Sequence, residues 1–127
     1  MHLSRRILMF IAVGCVAAFV HWAVVVGLVQ QFALAPLAAN MAGWAIAFCV
    51  SFAGQSTLTF GDHRAPLLQA ARRFLALSLA GFGINEAAYA LLLRYSSWRY
   101  DVLLALVLAG VAVVTYLMSQ RWAFRRT

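Results

Sequence analysis

Two kinds of side chain in this sequence could do chemistry: polar groups set inside long apolar runs, and arginines set at their ends. His21 lies in the first run, Asn85 and Glu86 stand side by side a little past the midpoint of the third, and Gln55 and Ser119 sit near the ends of the second and fourth. If the runs cross a bilayer, a charge at such depth costs at least ~2.5–3.5 kcal/mol on insertion scales, and an intramembrane ionisable group is a functional candidate by default. Three routes are open to Glu86: it is protonated, it meets His21, or it reaches the outer water near Arg94, two turns on. A snorkelling pair with Arg94 would be purely structural. Arg64, Arg72 and Arg73 follow the second run and can reach phosphates at headgroup level, although ordinary topology signal accounts for them equally well.

The elements that must position these groups follow from composition. Of 127 residues, 65% are hydrophobic and three are acidic, more apolar surface than a soluble domain of this length can bury. A hydrocarbon core about 30 Å thick takes roughly 20 apolar residues per helix. Spans are therefore expected at Ile7–Val29, Leu37–Leu58, Phe74–Leu93 and Val102–Met118. Period-two alternation is absent and the runs are too long for barrel strands, which leaves helices to satisfy the backbone in lipid. The opening MHLSRR and its apolar run imitate a signal peptide, but the run is too long for an h-region and is read as an anchor.

All the basic residues apart from the histidines are arginine. Arg5, Arg6, Arg64, Arg72, Arg73, Arg121, Arg125 and Arg126 fall on one side of the expected membrane, against Arg94 and Arg99 on the other. Eight against two in short loops places both termini and the middle hinge in the cytoplasm. Anionic lipid headgroups are the natural partners of these charges. A nucleic acid is not, because no basic stripe with interleaved aromatics lies on a soluble segment.

The chain reads as one membrane domain, 1–127, in two halves: repeat one about 7–60, a cytoplasmic hinge about 61–73, and repeat two about 74–124. At a gapless offset of 64 residues Phe10 falls on Phe74, His21 on Asn85, Ser51 on Thr115, Gln55 on Ser119 and Phe60 on Phe124. The expected fold class is all-α integral membrane, four transmembrane helices built from two parallel two-helix repeats. Pro36 restarts the chain where a missing N–H costs nothing. Ala39, Gly43, Ala47 and Ser51 make a stripe of small residues on helix two, a packing seam for a close neighbour. Cys15 and Cys49 are expected as small core hydrophobes, with no metal site and no disulfide. In the hinge, Leu67, Leu68 and Ala71 with Arg72 and Arg73 form an amphipathic entry to helix three. Tyr95, Trp98 and Tyr100 mark the outer interface.

Several short motifs resemble the GtrA-like family of small four-helix membrane proteins linked to polyprenyl-phosphate sugars and cell-surface polysaccharides. Phe10-Ile11-Ala12-Val13-Gly14 keeps the family's entry to helix one, with Met9 in place of its arginine. Arg73-Phe74-Leu75 followed by Ser78, Gly81 and Asn85 fits the entry to helix three. The family's acidic or amide position in helix one is His21 here. Its ending of helix two survives as Thr59-Phe60, and that of helix four as Trp122 and Phe124 with the basic residue at Arg121.

The resemblance implies a protein of the bacterial inner (cytoplasmic) membrane that flips a polyprenyl-phosphate sugar lipid. On that reading Arg72, Arg73 and Arg121 hold the lipid phosphate, and His21, Gln55, Asn85, Glu86 and Ser119 line a polar translocation path. The alternatives are a scaffold that recruits a glycosyltransferase to the membrane and, more remotely, a small multidrug exporter. An enzyme is not expected, since no nucleophile with a base, no metal-spaced cluster and no glycine-rich phosphate loop occurs, and no cofactor is called for. Four slender helices leave a thin lumen, which a homodimer or larger assembly would widen. The arginine split is checked by cysteine labelling in a background lacking Cys15 and Cys49. Probes placed at Asp62 and Thr127 are expected to react only after permeabilisation, and labelling from outside intact cells would invert the topology.

Overall fold

A computed structural model describes residues 3–59 and 67–122, with the side chains of the last helix described as far as Val114. It is all-helical among these residues: α1 (Leu3–Phe32), α2 (Pro36–Gly54) continued by a π-helical turn (Gln55–Thr59), α3 (Leu67–Tyr95) and α4 (Tyr100–Trp122). Three helices are long and apolar enough to cross a membrane, Ser4–Phe32, Pro36–Leu58 and Leu75–Tyr95, and α4 carries a shorter apolar stretch, Tyr100–Val114. Large side chains such as Phe19, Leu77, Ile84 and Leu106 face outward. That surface belongs in lipid, and the chain is a multi-pass membrane protein.

The helices overrun the expected spans. Helix α1, at 30 residues, is about 45 Å long at 1.5 Å per residue, longer than the hydrocarbon core, so its ends enter the headgroup layers. Arg5, Arg6, Gln30 and Gln31 are good helix formers there and do not stop it. The turn to α2 is made by Ala33 at φ 53, and the Leu34 N–H returns to Leu28 O at 3.3 Å. Pro36 occupies the first helical position after Ala35, as its missing N–H favours. Helix α3 begins at Leu67, so 67–73, expected within the hinge, are already helical, with Leu68, Arg72 and Arg73 exposed. Phe60 and the hinge residues 61–66 lie outside the described residues.

The two hairpins pack by different means. Along α1 and α2 the backbones come close: a Cβ on Gly43 would stand 2.8 Å from His21 Cδ2 and 2.9 Å from the His21 carbonyl oxygen, and one on Gly54 2.7 Å from Val13 Cγ1. Ala39, Gly43 and Ala47 of the expected small-residue seam are buried. Helices α3 and α4 instead meet through large side chains, Tyr89 with Leu103, Leu104 and Val107, which join Val25 and Ala39 in one apolar cluster. Two donors tie the bundle to the start of α4: half-buried Trp22 donates from Nε1 to Asp101 O at 2.9 Å, and Tyr89 from Oη to Tyr100 O at 3.0 Å. The cysteines correct the sequence expectation, because Cys15 and Cys49 are both exposed and free rather than in the core. A free Cys is apolar enough to face lipid as readily as a core.

Gly43→Ala is expected to lower stability by about 1–3 kcal/mol, since the new methyl meets backbone as well as side chain. A Cβ added at Gly83 would meet nothing within 4 Å, and Gly83→Ala should leave the melting temperature unchanged or raise it. Thermal denaturation of both variants in detergent checks the pair, and equal loss would refute the close α1–α2 approach.

Candidate functional site

Polar groups at bilayer depth must be satisfied within the protein, and here one side chain satisfies two others. Asn40 lies one turn into α2, fully buried. Its Oδ1 accepts a hydrogen bond from His21 Nε2 on α1 at 2.6 Å, and its Nδ2 donates to Asn85 Oδ1 on α3 at 2.8 Å. His21 is 5% exposed and Asn85 4%, so three helices are joined by a buried polar chain. In this arrangement the His21 ring carries its proton on Nε2, because the amide oxygen faces it. The Gly43 position explains the short first bond: without a side chain one turn beyond Asn40, α1 can approach α2 closely enough to deliver His21.

Glu86 follows Asn85 on α3 and adjoins Asn40, yet its Oε1 is buried with no hydrogen-bond partner among the described residues. Both partners expected for it are engaged elsewhere: His21 Nε2 bonds Asn40, and Arg94 stacks over the Tyr95 ring at 5.6 Å. The ion pair formed among the described residues at this end of the molecule is Arg99–Asp101, 3.1 Å.

Gln55 stands apart. It opens the π-helical turn, is 4% exposed, and donates from Nε2 to Phe10 O at 3.3 Å, while its Oε1 is buried without a partner among the described residues. Phe10 and His21 are eleven positions apart on α1, about 16 Å along the helix. Single π-turns are common where a helix serves a site, and the hydroxyls of Ser56 and Thr57 bond back to Ala53 O at 3.3 and 2.6 Å. Arg72 and Arg73 lie exposed on the second turn of α3, on the same side of the molecule as Gln55. Ser119 and Arg121 belong to the last turns of α4, and their side chains lie outside the described residues.

Between α2 and α3 an open cleft adjoins the polar chain. One lobe, about 170 Å³, is lined by Ala17, His21, Trp44, Phe48, Ser51 and Ser78 among others. The second, about 190 Å³, is lined by His21, Trp44, Ser78, Phe82, Asn85 and neighbours. His21, Trp44 and Ser78 line both lobes.

The structure thus brings His21 and Asn85 together, places Glu86 at their edge, and leaves Gln55 at the far end. Sequence reasoning missed Asn40, the residue that joins them. A signal existed: a lone asparagine in the apolar run PLAANMAGW is the interhelical glue that membrane helices use, but the neighbouring small-residue stripe drew the reading to packing alone.

A family model described as GtrA/DPMS, transmembrane domain, matches residues 9–124. No curated protein and no solved structure shows significant similarity to the chain.

Asn40 should behave energetically as a bridge. Asn40→Leu removes both bonds and strands two buried groups, whereas Asn85→Leu removes one. In a double-mutant cycle the pair is expected to show a coupling of about 0.5–2 kcal/mol, in the range of interhelical hydrogen bonds in membranes. Additive losses in reversible unfolding would mean that the Asn40–Asn85 bond contributes nothing.

Proposed function

Because the chain belongs to the GtrA/DPMS transmembrane-domain family, we propose that it carries a polyprenyl-phosphate-linked sugar from the inner to the outer leaflet of the bacterial inner membrane. The observation that carries this reading is the buried chain His21–Asn40–Asn85 beside an open cleft. Such a cargo keeps its polyprenyl tail in hydrocarbon throughout, so the protein has to supply polar company only to the sugar and the phosphate. In water-free surroundings each unsatisfied hydroxyl is costly, and a cleft edged by an imidazole, amides and hydroxyls lowers that barrier.

The phosphate end falls to the arginines. Arg72 and Arg73 lie exposed at the headgroup end of α3, where guanidinium forks match phosphate oxygens, and Arg121 joins them from the end of α4. On this reading the termini and the hinge are cytoplasmic, with anionic lipids as competing ligands for the same groups. Gln55 and Ser119 then meet the cargo first, and His21, Asn85 and Glu86 further out. The unpartnered Oε1 atoms of Gln55 and Glu86 support a path on which protein acceptors wait for sugar hydroxyls.

The two halves fit a duplication. Buried residues of the first half, His21, Val25, Ala39, Asn40 and Gly43, fall at the 64-residue offset on Asn85, Tyr89, Leu103, Leu104 and Val107, all buried. The correspondence lapses toward the termini, where Val13 is buried and Leu77 is 72% exposed. His21 and Asn85 meeting on one amide suits parallel repeats, which hold equivalent residues at one depth.

The test is lipid binding and transfer in reconstituted vesicles. Arg73→Gln is expected to weaken binding of the lipid phosphate about fivefold, at roughly 1 kcal/mol per interfacial arginine, with the loss shrinking as salt rises. Asn85→Leu should keep binding within about twofold and slow transfer, since it touches the moving sugar and not the charge. A folded Asn85→Leu protein with unchanged transfer would sink the path and favour a membrane scaffold that recruits a glycosyltransferase.

A further inference from the structure

Trp44, Ser51 and Ser78 line the lobes, and no hydrogen bond joins the indole N–H of Trp44 or the hydroxyls of Ser51 and Ser78 to another described residue. The contrast with Trp22 is direct, because that indole N–H is satisfied by Asp101 O. At bilayer depth an N–H left without a partner is costly, and serine hydroxyls in membrane helices ordinarily find one. Trp44 also belongs to an aromatic wall. Its ring lies 5.0 Å from Phe82 on α3 at a 31° tilt and 6.0 Å from Phe48 one turn along α2, and Phe48 stacks on Phe52 at 6.2 Å.

Resting on the flippase reading above, we propose that Trp44 is the residue that recognises the sugar: the ring of the headgroup lies with its C–H face on the Trp44–Phe82 wall, and its hydroxyls bond Ser51, Ser78 and the indole N–H. The chemistry selects this occupant. A lipid tail would leave the three polar groups unsatisfied, and water alone would leave the aromatic wall wetted, whereas a pyranose has an apolar face for the wall and a rim of hydroxyls for the donors and acceptors. The two lobes, about 170 and 190 Å³, are each smaller than the roughly 300–1,000 Å³ of pockets that take drug-sized ligands. They suit one ring at a time, handed from the Ser51 side to the Asn85 side with Trp44 common to both.

The experiment titrates the full chain in nanodiscs with a panel of polyprenyl phosphates bearing single hexoses and with the same lipid phosphate bearing none. The wild type is expected to prefer a glycosylated member. Trp44→Leu should lose about tenfold of that preference and bind the bare lipid phosphate as the wild type does, while Trp44→Phe, which keeps a ring and loses the N–H, should lose about threefold. Phe82→Leu gives an independent reading of the wall should Trp44→Leu misfold. A preference that survives both leucine variants, or an equal loss for glycosylated and bare lipid, overturns the stacking role and leaves the flippase reading standing. No preference in the wild type for any sugar-bearing lipid overturns the flippase reading, and this inference with it.

Discussion

Everything in this bundle depends on one amide in a place without water. Asn40 has an acceptor and a donor, and at bilayer depth both must be used. It uses them on different helices, accepting a hydrogen bond from His21 and donating one to Asn85. The bond lengths are set by packing: Gly43, on the next turn of α2, leaves room for the His21 backbone to within contact distance. The seam of small residues and the polar chain are therefore one device. A larger side chain at Gly43 would push α1 away, and the first consequence would be a lengthened His21–Asn40 bond.

The second consequence is an asymmetry between the hairpins. Helices α1 and α2 approach through small residues, backbone against backbone, whereas α3 and α4 are held by the large side chains of Tyr89, Leu103, Leu104 and Val107. The ties between hairpins gather toward the loop side, where Trp22 donates to a carbonyl at the start of α4 and Asn40 reaches Asn85, while Tyr89 closes the second hairpin on Tyr100 O. On the other side the α2–α3 junction opens into a cleft, and α2 ends in a π-turn. The cleft thus lies beside an end of the helix pair that the Asn40–Asn85 hydrogen bond holds fixed.

Much of the fold was legible because lipid imposes strict rules on sequence. Helix number, the Pro36 start and the burial of the small residues Ala39, Gly43 and Ala47 all follow from length, periodicity and small-residue spacing, and the structure has them. His21 and Asn85 could be flagged as costly, but their partner could not be named, since which polar groups meet depends on how far each helix slides against its neighbour. Asn40 was passed over for that reason, and Trp44 because a tryptophan in an apolar run reads as bulk. The π-turn at Gln55 leaves no mark in hydropathy. Cys15 and Cys49 went wrong because an apolar residue in a membrane helix faces lipid or core with little difference in free energy, so composition cannot choose a side.

The separation of Gln55 from the polar chain is the one feature that a path through the protein must accommodate, and α2 itself accommodates it. At about 100° per residue, Asn40, Trp44, Ser51 and Gln55 all project within roughly 60° of one another around the helix. Asn40 closes the polar chain, Trp44 and Ser51 line the cleft, and Gln55 faces Phe10 O from the π-turn. The small residues Ala39, Gly43 and Ala47 lie on the adjacent sector, against α1. A four-residue repeat drifts around an α-helix by about 40° per step, so the small-residue stripe that begins against α1 runs into the polar sector by Ser51. One sequence pattern thereby serves packing at one end of α2 and hydrogen bonding at the other. Polar groups thus recur along α2 from its π-turn to Asn40, with neighbouring helices supplying the partners.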